Sequence, residues 1–381
     1  MFIKRIITYL IKSIELIFII FTCSYELQKP KKKKFLLFHK SSEIVLNFGV
    51  NKEQTNTIDK KKINLYVLFF TIIDFQFSYR SYIEKYLAKT TPKIMVNYVD
   101  NDPIFYLLKK NFPKIVFISI QNGIRDIRDD FYLSLDALNK KNIRPTIDYY
   151  FVLNKYFAQE LKRYINFKPM ICGSFKNNSV KLSKIKRYKK NSLLFISQFD
   201  YKTIDTEDFY WESERKILPY IEEYSQKNDL ELCILGRTKN IKEKIFYESI
   251  LSNKFKFIFS SKFSLSSYKK NYQKLDNYEN IIFIDSTLGY ESVTRNKKII
   301  VFSGRKTASG IKNSFCWPKK IRTEGSFYTH KNDKRTIFRL LDENIKTPYK
   351  QWYKNSLSDF KYLCEYDLNN KKFLDLVNSI K

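Results

Sequence analysis

The chain has 381 residues, of which 44% are hydrophobic and 29% are charged, and its formal net charge is +31. This length fits two domains better than one, and the high charged fraction argues against a protein with several membrane spans. The five cysteines are widely spaced and odd in number, and His39 and His330 are the only histidines. A disulfide framework and a structural zinc site are therefore disfavoured, and a reducing cytoplasm is the expected environment.

The positive charge comes mainly from lysine. Of the 70 basic residues, 14 are arginine and 56 are lysine, and the lysines are spread along the whole chain. Proteins that read bases and phosphates commonly use the arginine fork, so nucleic acid is the least favoured partner. A general bias toward AT-rich codons explains the lysine content best. Attraction to an anionic membrane surface comes second.

Residues 1–34 form the first predicted segment. Apolar residues such as Ile3, Ile7, Leu10 and Ile14 recur at helical spacing, which predicts an amphipathic helix, and a basic run follows at 29–34. The uninterrupted apolar stretch is far shorter than a membrane span. Two interpretations stay open. The helix either lies in the plane of a membrane, as a peripheral contact, or packs on the core of its own domain.

Residues 35–176 form the first predicted domain, in which strand-like and helix-like runs alternate. Apolar runs predict buried strands, and polar periodic runs predict helices, one of which has Pro103 at its first position. The predicted strands are 35–38, 63–70, 93–102, 114–123, 148–154 and 168–175, and the predicted helices are 103–112 and 155–165. This alternation indicates a parallel sheet covered by helices.

A polar and basic stretch, 177–190, is the predicted linker, and a second domain follows at 191–332. The second domain repeats the same alternation of strand-like and helix-like runs. Residues 333–381 are predicted to form terminal helices. The predicted strands of the second domain are 191–199, 229–237, 279–285 and 297–305, and its predicted helices are 213–226 and 241–251. The fold class is therefore α/β, with two Rossmann-like domains.

The strongest chemical signal lies between the last two of these strands. An apolar strand ends at Asp285, and Ser286, Thr287 and Gly289 form a short turn before a helix predicted to begin near Tyr290. Small hydroxyl residues and a glycine at such a turn favour phosphate binding, because backbone N–H groups can approach the anion. A capped helix is the alternative, with Ser or Thr as the cap and Glu291 near the third helical position.

The pattern S-T-x-G-x-E at 286–291 resembles the donor-binding turn of glycosyltransferase-B enzymes. It is most similar to the branch with Kdo transferases, CDP-glycerol glycerophosphotransferases and bacterial surface carbohydrate proteins. The resemblance implies two Rossmann-like domains facing a cleft, with the donor held by the second. It implies that Ser286, Thr287 and Gly289 face the donor diphosphate and that Glu291 binds the ribose. The segment ILGR places Arg237 where such enzymes often have a basic residue near the diphosphate.

Two segments of the first domain, YVDND at 98–102 and ISIQNGIRD at 118–126, resemble the same family. The segment at 118–126 is similar to a Q-H-G turn in which Asn122 replaces the histidine, and asparagine cannot act as a general base. A catalytic protein would then need a carboxylate base. The predicted bases are Asp100, Asp102 and Asp126, and the predicted acceptor-cleft residues are Gln121, Asn122, Gly123 and Arg125. The alternative is that these are ordinary loop carboxylates that solvate or cap.

The resemblance implies sugar transfer from a nucleotide-sugar donor to a glycan or lipid-linked acceptor in surface polysaccharide synthesis. The expected location is the cytoplasm. Peripheral contact at the inner face of the membrane is expected only on the interpretation in which the N-terminal helix lies in the membrane plane. No metal and no other cofactor is expected, since arginine, lysine and helix dipoles can neutralise a diphosphate. The alternatives are a nucleotide-sugar epimerase on the same fold and a non-catalytic carbohydrate-assembly protein. A nucleic-acid binder is the least favoured interpretation, and no nucleic acid is expected as a partner.

Overall fold

A computed structural model gives the fold and describes part of the chain. The described residues are 19–124, 130–182, 188–199, 211–252, 254–260, 268–303, 323–359 and 363–380. The predicted N-terminal helix therefore lies largely outside the described residues, as do Arg125 and Asp126. Among the described residues, no helix is long and apolar enough to cross a membrane.

The strands of the described residues form two large sheets and one small one. Their bounds are β1 Ser24–Glu26, β2 Phe35–Phe38, β3 Thr55–Ile58, β4 Lys62–Asn64, β5 Ile94–Asn97, β6 Val116–Ile120, β7 Thr146–Val152, β8 Asn166–Ile171, β9 Lys189–Ile196, β10 Glu231–Leu235, β11 Phe255–Ile258, β12 Tyr278–Phe283, β13 Lys298–Phe302 and β14 Tyr328–Thr329. The first large sheet has the order β3-β2-β5-β6-β7-β8, and the second has the order β11-β10-β9-β12-β13-β14.

Helices cover these sheets. Their bounds are α1 Leu65–Ile73, α2 Tyr79–Thr90, α3 Pro103–Leu108, α4 Asp130–Asn139, α5 Lys155–Lys162, α6 Phe175–Asn178, α7 Glu212–Lys227, α8 Ile241–Glu248, α9 Tyr268–Asp276, α10 Thr287–Glu291, α11 Lys334–Lys346, α12 Tyr349–Ser356 and α13 Lys371–Ser379. Short 3-10 helices lie at Lys40–Phe48, Lys52–Gln54, Lys109–Asn111, Ser292–Arg295 and Leu368–Asn370.

Every pairing within the two large sheets is parallel. Helices pack on both faces of such sheets, so central strands are continuously apolar rather than alternating. The four residues of β2 and the five residues of β13 are all buried, as this rule requires. The α/β prediction with two Rossmann-like domains is confirmed.

The predicted strand at 63–70 is wrong. Strand β4 ends at Asn64, and α1 begins at Leu65. The Asn64 side chain accepts a hydrogen bond from the Val67 N–H and so caps the helix at this position. A short apolar run fits a buried strand and a helix equally well by periodicity. The strands β1, β3, β11 and β14 were not anticipated from the sequence.

The C-terminal helix crosses back to the first domain. Phe373 and Val377 of α13 lie in the same apolar cluster as Phe35 and Leu37 of β2. The Lys34 ammonium group also donates to the Val377 carbonyl at 3.4 Å. The terminal helices therefore connect both halves of the molecule, which the sequence did not indicate.

Candidate functional site

A cavity of about 170 Å³ lies where the carboxyl ends of the second-sheet strands meet the first domain. In parallel α/β sheets this is the edge at which ligands bind. The lining residues come from both halves of the molecule: Asn122, Lys176, Ile196, Ser197, Gln198, Leu235, Gly236, Arg237, Tyr268, Asn271, Tyr272, Ser286, Thr287, Leu288 and Glu291. Four of the five predicted donor residues are in this set.

The turn after β12 differs from the predicted one. Helix α10 begins at Thr287, three residues earlier than expected, so Glu291 is its last residue rather than part of its first turn. Ser286 occupies the N-cap position, but its side chain makes no capping hydrogen bond. A capping box needs an acidic side chain near the third helical position, so the geometry does not fit that alternative.

Gly289, the fifth predicted donor residue, does not line the cavity. It lies on the Phe283 ring, and a Cβ built at this position would come within 2.3 Å of the ring carbons. Glycine is required here because the helix packs directly on the aromatic ring, and this packing explains the residue without any contact with a donor.

Glu291 lines the cavity and is buried, with 3% of its surface exposed. Tyr272 donates its hydroxyl hydrogen to Glu291 Oε2 at 2.6 Å. Burial raises the pKa of the Glu291 carboxyl, although hydrogen bonds from Ser174 and Tyr272 and the charge of Lys176 oppose the shift. The carboxylate is thus fixed in orientation and faces the cavity.

Lys176 reaches the same cavity from α6, in the segment that leaves the first domain. Burial lowers the pKa of its ammonium group, and the nearby Glu291 carboxylate opposes that shift. The sequence predicted a basic residue here only at Arg237. Lys176 was missed because its segment resembles the beginning of a linker.

Arg237 follows β10, and its side chain is exposed at the cavity. One guanidinium nitrogen donates to the Gln198 carbonyl at 3.2 Å. The buried Glu243 carboxylate shapes this loop by accepting hydrogen bonds from the Arg237 N–H at 2.7 Å and the Thr238 N–H at 2.8 Å. Ser197, after the adjacent strand, also donates to Glu243 at 2.6 Å.

The two domains touch at the predicted acceptor turn. The Ile124 N–H donates to Thr287 Oγ1 at 3.3 Å, and a Cβ at Gly123 would lie 3.2 Å from the same oxygen. Asn122 lines the cavity beside this contact. Gln121, in contrast, is buried, donates to the Gly123 carbonyl and accepts from the Leu153 N–H, so it holds the turn in shape.

Asp100 is 1% exposed and lies within a hydrogen-bond network. The Tyr150 hydroxyl donates to its Oδ2 at 2.9 Å, and the Asn122 N–H donates to its Oδ1 at 3.4 Å. The Tyr106 hydroxyl donates to its backbone carbonyl at 2.6 Å. This arrangement makes Asp100 a residue that positions the Asn122 turn.

Asp102 caps α3 by accepting from the Ile104 N–H at 2.9 Å and pairs with His39, whose Nε2 lies 3.0 Å from Asp102 Oδ2. Burial raises the pKa of Asp102, but the His39 hydrogen bond and charge and the Ile104 N–H outweigh it, so the pKa is lowered overall. His39 has a φ of 69°, which is uncommon for a residue other than glycine. The pair was not predicted from the sequence because its partners are 63 residues apart.

Within the described residues, no group of three or more His, Cys, Asp or Glu side chains converges as a set of metal ligands. Among the described residues that line the cavity, Lys176 and Arg237 carry the positive charge.

Solved structures with the same fold span almost the whole chain. The structure resembles UDP-GlcNAc 2-epimerase of Methanocaldococcus jannaschii, with 14% identity, a TM-score of 0.53, and 92% of this chain and 99% of that chain covered. It also resembles S. aureus MnaA bound to UDP, with 13% identity, a TM-score of 0.55, and coverage of 91% and 98%. A variant of the wall teichoic acid polymerase TagF matches with 10% identity, a TM-score of 0.51, and coverage of 98% and 95%.

These likenesses establish the glycosyltransferase-B-like fold of two Rossmann-like domains facing a cleft. Comparison of the sequence with curated proteins finds no match. A family model described as "putative O-antigen biosynthesis protein" matches residues 118–381, which is more than half of the chain. The chain therefore belongs to this O-antigen biosynthesis family.

Proposed function

We propose that the protein transfers a sugar from a nucleotide-sugar donor to a glycan or lipid-linked acceptor during O-antigen synthesis, at the cytoplasmic face of the membrane. The observation that carries the proposal is the cavity between the domains. It gathers Arg237, Ser286, Thr287 and Glu291 from the second domain with Asn122 from the first. Residues that are far apart in the sequence are thus brought together at the sheet edge where α/β proteins bind ligands.

The donor diphosphate would be held by positive groups and hydroxyls. Lys176 and Arg237 supply the charge, and Ser286 and Thr287 supply hydroxyl donors. A half-buried lysine favours an anionic ligand, because the anion stabilises the charged form that burial disfavours. Glu291 would accept hydrogen bonds from the ribose hydroxyls. On this proposal neither a metal nor another cofactor is needed.

We assign the general base to His39 rather than to a carboxylate. His39 follows β2 and Asp102 follows β5, at the same sheet edge as Asn122 after β6. Two strand spacings separate the His39 and Asn122 positions, which is roughly 10 Å. A histidine oriented by a carboxylate is suited to proton transfer near neutral pH. Asp102 therefore acts as the positioning residue for His39.

In the proposed reaction, the acceptor hydroxyl oxygen forms a bond to the anomeric carbon of the donor sugar, and the bond from that carbon to the diphosphate oxygen breaks. The hydroxyl proton passes to the neutral His39 ring. With Nε2–H donating to Asp102, the ring nitrogen with the lone pair is Nδ1. The nucleoside diphosphate leaves with the bonding electron pair and stays next to Lys176 and Arg237.

The first test is a thermal-shift screen of the full chain with UDP-, CMP-, CDP-, GDP- and dTDP-linked compounds. A ligand at 100 times its dissociation constant should stabilise the protein by about 2.7 kcal/mol. We expect the shift to be lost in Arg237→Ala and Glu291→Ala. It should persist in Arg339→Ala, because Arg339 is an exposed arginine that pairs with Glu343. The absence of a shift with every compound would refute the donor site.

A variant of His39 separates donor binding from turnover. His39→Ala should retain the donor shift but lose the nucleotide release that a membrane-lipid extract stimulates in the wild type. General acid–base groups typically contribute about 10²- to 10⁴-fold to rate. Conversion of the donor to an isomer without any acceptor would instead identify an epimerase. A His39→Ala variant with the wild-type rate would exclude the proposed base.

A further inference from the structure

Helix α1 exposes large apolar side chains on one side of the first domain. Val67, Leu68 and Thr71 face the core and are buried. On the opposite side, Phe69 is 59% exposed, and Phe75, just beyond the helix, is 78% exposed. Several large apolar side chains exposed close together along the chain on a folded domain indicate an interaction site.

A second segment extends this surface. Strand β1 pairs with β4 in parallel, and β4 leads directly into α1. Two residues that flank β1, Phe21 and Leu27, are 84% and 77% exposed. We define the apolar face as six exposed residues from the two segments: Phe21, Leu27, Phe69, Ile72, Ile73 and Phe75.

Lysines border the apolar face. The Lys29 ammonium group lies 5.7 Å from the centre of the Tyr66 ring of α1, and that of Lys89 lies 3.8 Å from the centre of the Phe70 ring. A neighbouring cavity of about 620 Å³ also opens beside β1 and β3. Its charged lining is mainly basic: Lys29, Lys31, Lys33, Lys40, Lys61 and Lys62, against Glu26, Glu43 and Asp59. We call this the lysine cavity.

We propose that the apolar face and the lysine cavity form one docking surface for an anionic lipid bilayer. Apolar side chains of an interfacial element enter the boundary between headgroups and acyl chains, and lysines gain from anionic lipids. Helix α1 has nine residues, about 14 Å of helix, so it lies along the membrane rather than across it.

Charge complementarity favours a bilayer over a second copy of the chain. In a symmetric dimer through this surface, the lysine cavity of one copy would approach that of the other, and the like charges would repel. An anionic bilayer presents the opposite charge to the same groups. The inference rests on the proposed function in one respect, because it names the membrane as the place where the acceptor is met.

The test is flotation of the full chain with vesicles of phosphatidylcholine alone and of phosphatidylcholine with phosphatidylglycerol. Wild type should float with the anionic vesicles and not with the neutral ones. The triple variant F69S/I73S/F75S should lose binding by at least about tenfold, because it removes apolar contact with the bilayer. The matched control L133S/I143S/L357S replaces exposed apolar residues elsewhere and should bind like wild type.

Neutralising lysines tests the electrostatic part of the proposal. The variant K29Q/K31Q/K61Q should weaken anionic-vesicle binding on the order of 100-fold, whereas K227Q/K346Q/K371Q, with the same change of net charge, should not. Residues 1–18 are unchanged in every variant, so a difference between the variants reports the docking surface. Equal binding by wild type and both surface variants would overturn the proposal. So would the absence of wild-type binding.

Light scattering tests the alternative that a second copy of the chain, rather than a bilayer, covers this surface. A wild-type dimer that F69S/I73S/F75S converts to a monomer, without vesicle binding, would assign the surface to a second copy. Both surface variants should keep the melting temperature within a few degrees of wild type, because they change exposed groups. They should also keep the donor-induced thermal shift. A failure of vesicle binding is therefore distinguishable from a failure of the donor site.

Discussion

The turns that follow β5 and β12 both carry acidic and polar residues at the carboxyl end of a strand, yet the fold uses them differently. After β5, both oxygens of Asp100 and both oxygens of Asp102 have hydrogen-bond partners in the first domain. After β12, Ser286, Thr287 and Glu291 line the cavity between the domains. The comparison teaches that similar polar residues at the ends of two strands differ in their surroundings: one set bonds within its own domain, and the other opens onto the space between the domains.

The largest expected effect lies just beyond the β12 turn, at Arg295. Its guanidinium pairs with Asp276 through two hydrogen bonds, of 2.7 and 2.5 Å, and also donates to Asn177 and to the Val180 carbonyl. Arg295→Leu should reduce the free energy of unfolding by about 3–5 kcal/mol, because it leaves a buried carboxylate unpaired. Urea denaturation measures this loss.

Arg339→Leu is the control for that prediction. Arg339 is 46% exposed in its ion pairs with Glu324 and Glu343, and exposed pairs contribute less than about 1 kcal/mol. Equal losses in the two variants would show that the buried Arg295–Asp276 pair contributes no more to stability than an exposed pair.

The next effect compares the two turns directly. Asp100→Ala should lower the free energy of unfolding by about 1–3 kcal/mol, since the Tyr150 hydroxyl and the Asn122 N–H lose their acceptor. The variant should keep the thermal shift with the donor, whereas Glu291→Ala should lose it. If Asp100→Ala instead loses the shift at unchanged stability, the two turns are equivalent and the comparison is broken.

The smallest effect concerns pH. The pKa of Asp102 is lowered in the folded protein, so its ionised form stabilises the fold above the unfolded pKa near 3.8, and this contribution disappears as the pH falls through the folded pKa. Asp102→Asn should cost about 1 kcal/mol at pH 7, from the weakened bond with His39. The difference from wild type should vanish once the pH has fallen below the lowered pKa of Asp102 in the folded protein.

Denaturation curves of both proteins between about pH 2 and pH 7 measure this dependence. His39→Ala, which removes the partner, should show the same loss of pH dependence. A wild-type and an Asp102→Asn curve that differ by a constant amount at every pH would contradict the assigned pair.

The sequence by itself determined the fold class and singled out one turn that lines the cavity between the domains. Continuous apolar runs such as 35–38 and 299–302 are typical of strands covered by helices on both faces, which predicts parallel sheets. The pattern from Ser286 to Glu291 drew attention to this loop because small residues at a turn after a strand allow backbone N–H groups to approach an anion. Whether Ser286, Thr287, Arg237 and Glu291 bind a donor stays a prediction that the thermal shifts test.

The tertiary structure decided the rest, because the deciding contacts join residues that are far apart along the chain. His39 and Asp102 meet across two strands, and Lys176 enters the cavity from a segment that resembles the start of a linker. Apolar periodicity could not separate strand from helix at α1, since a short run is compatible with both. The Asn64 side chain caps the first turn of α1, so this run is a helix in the structure. One side of the helix is buried, and the other exposes the apolar face beside the lysines.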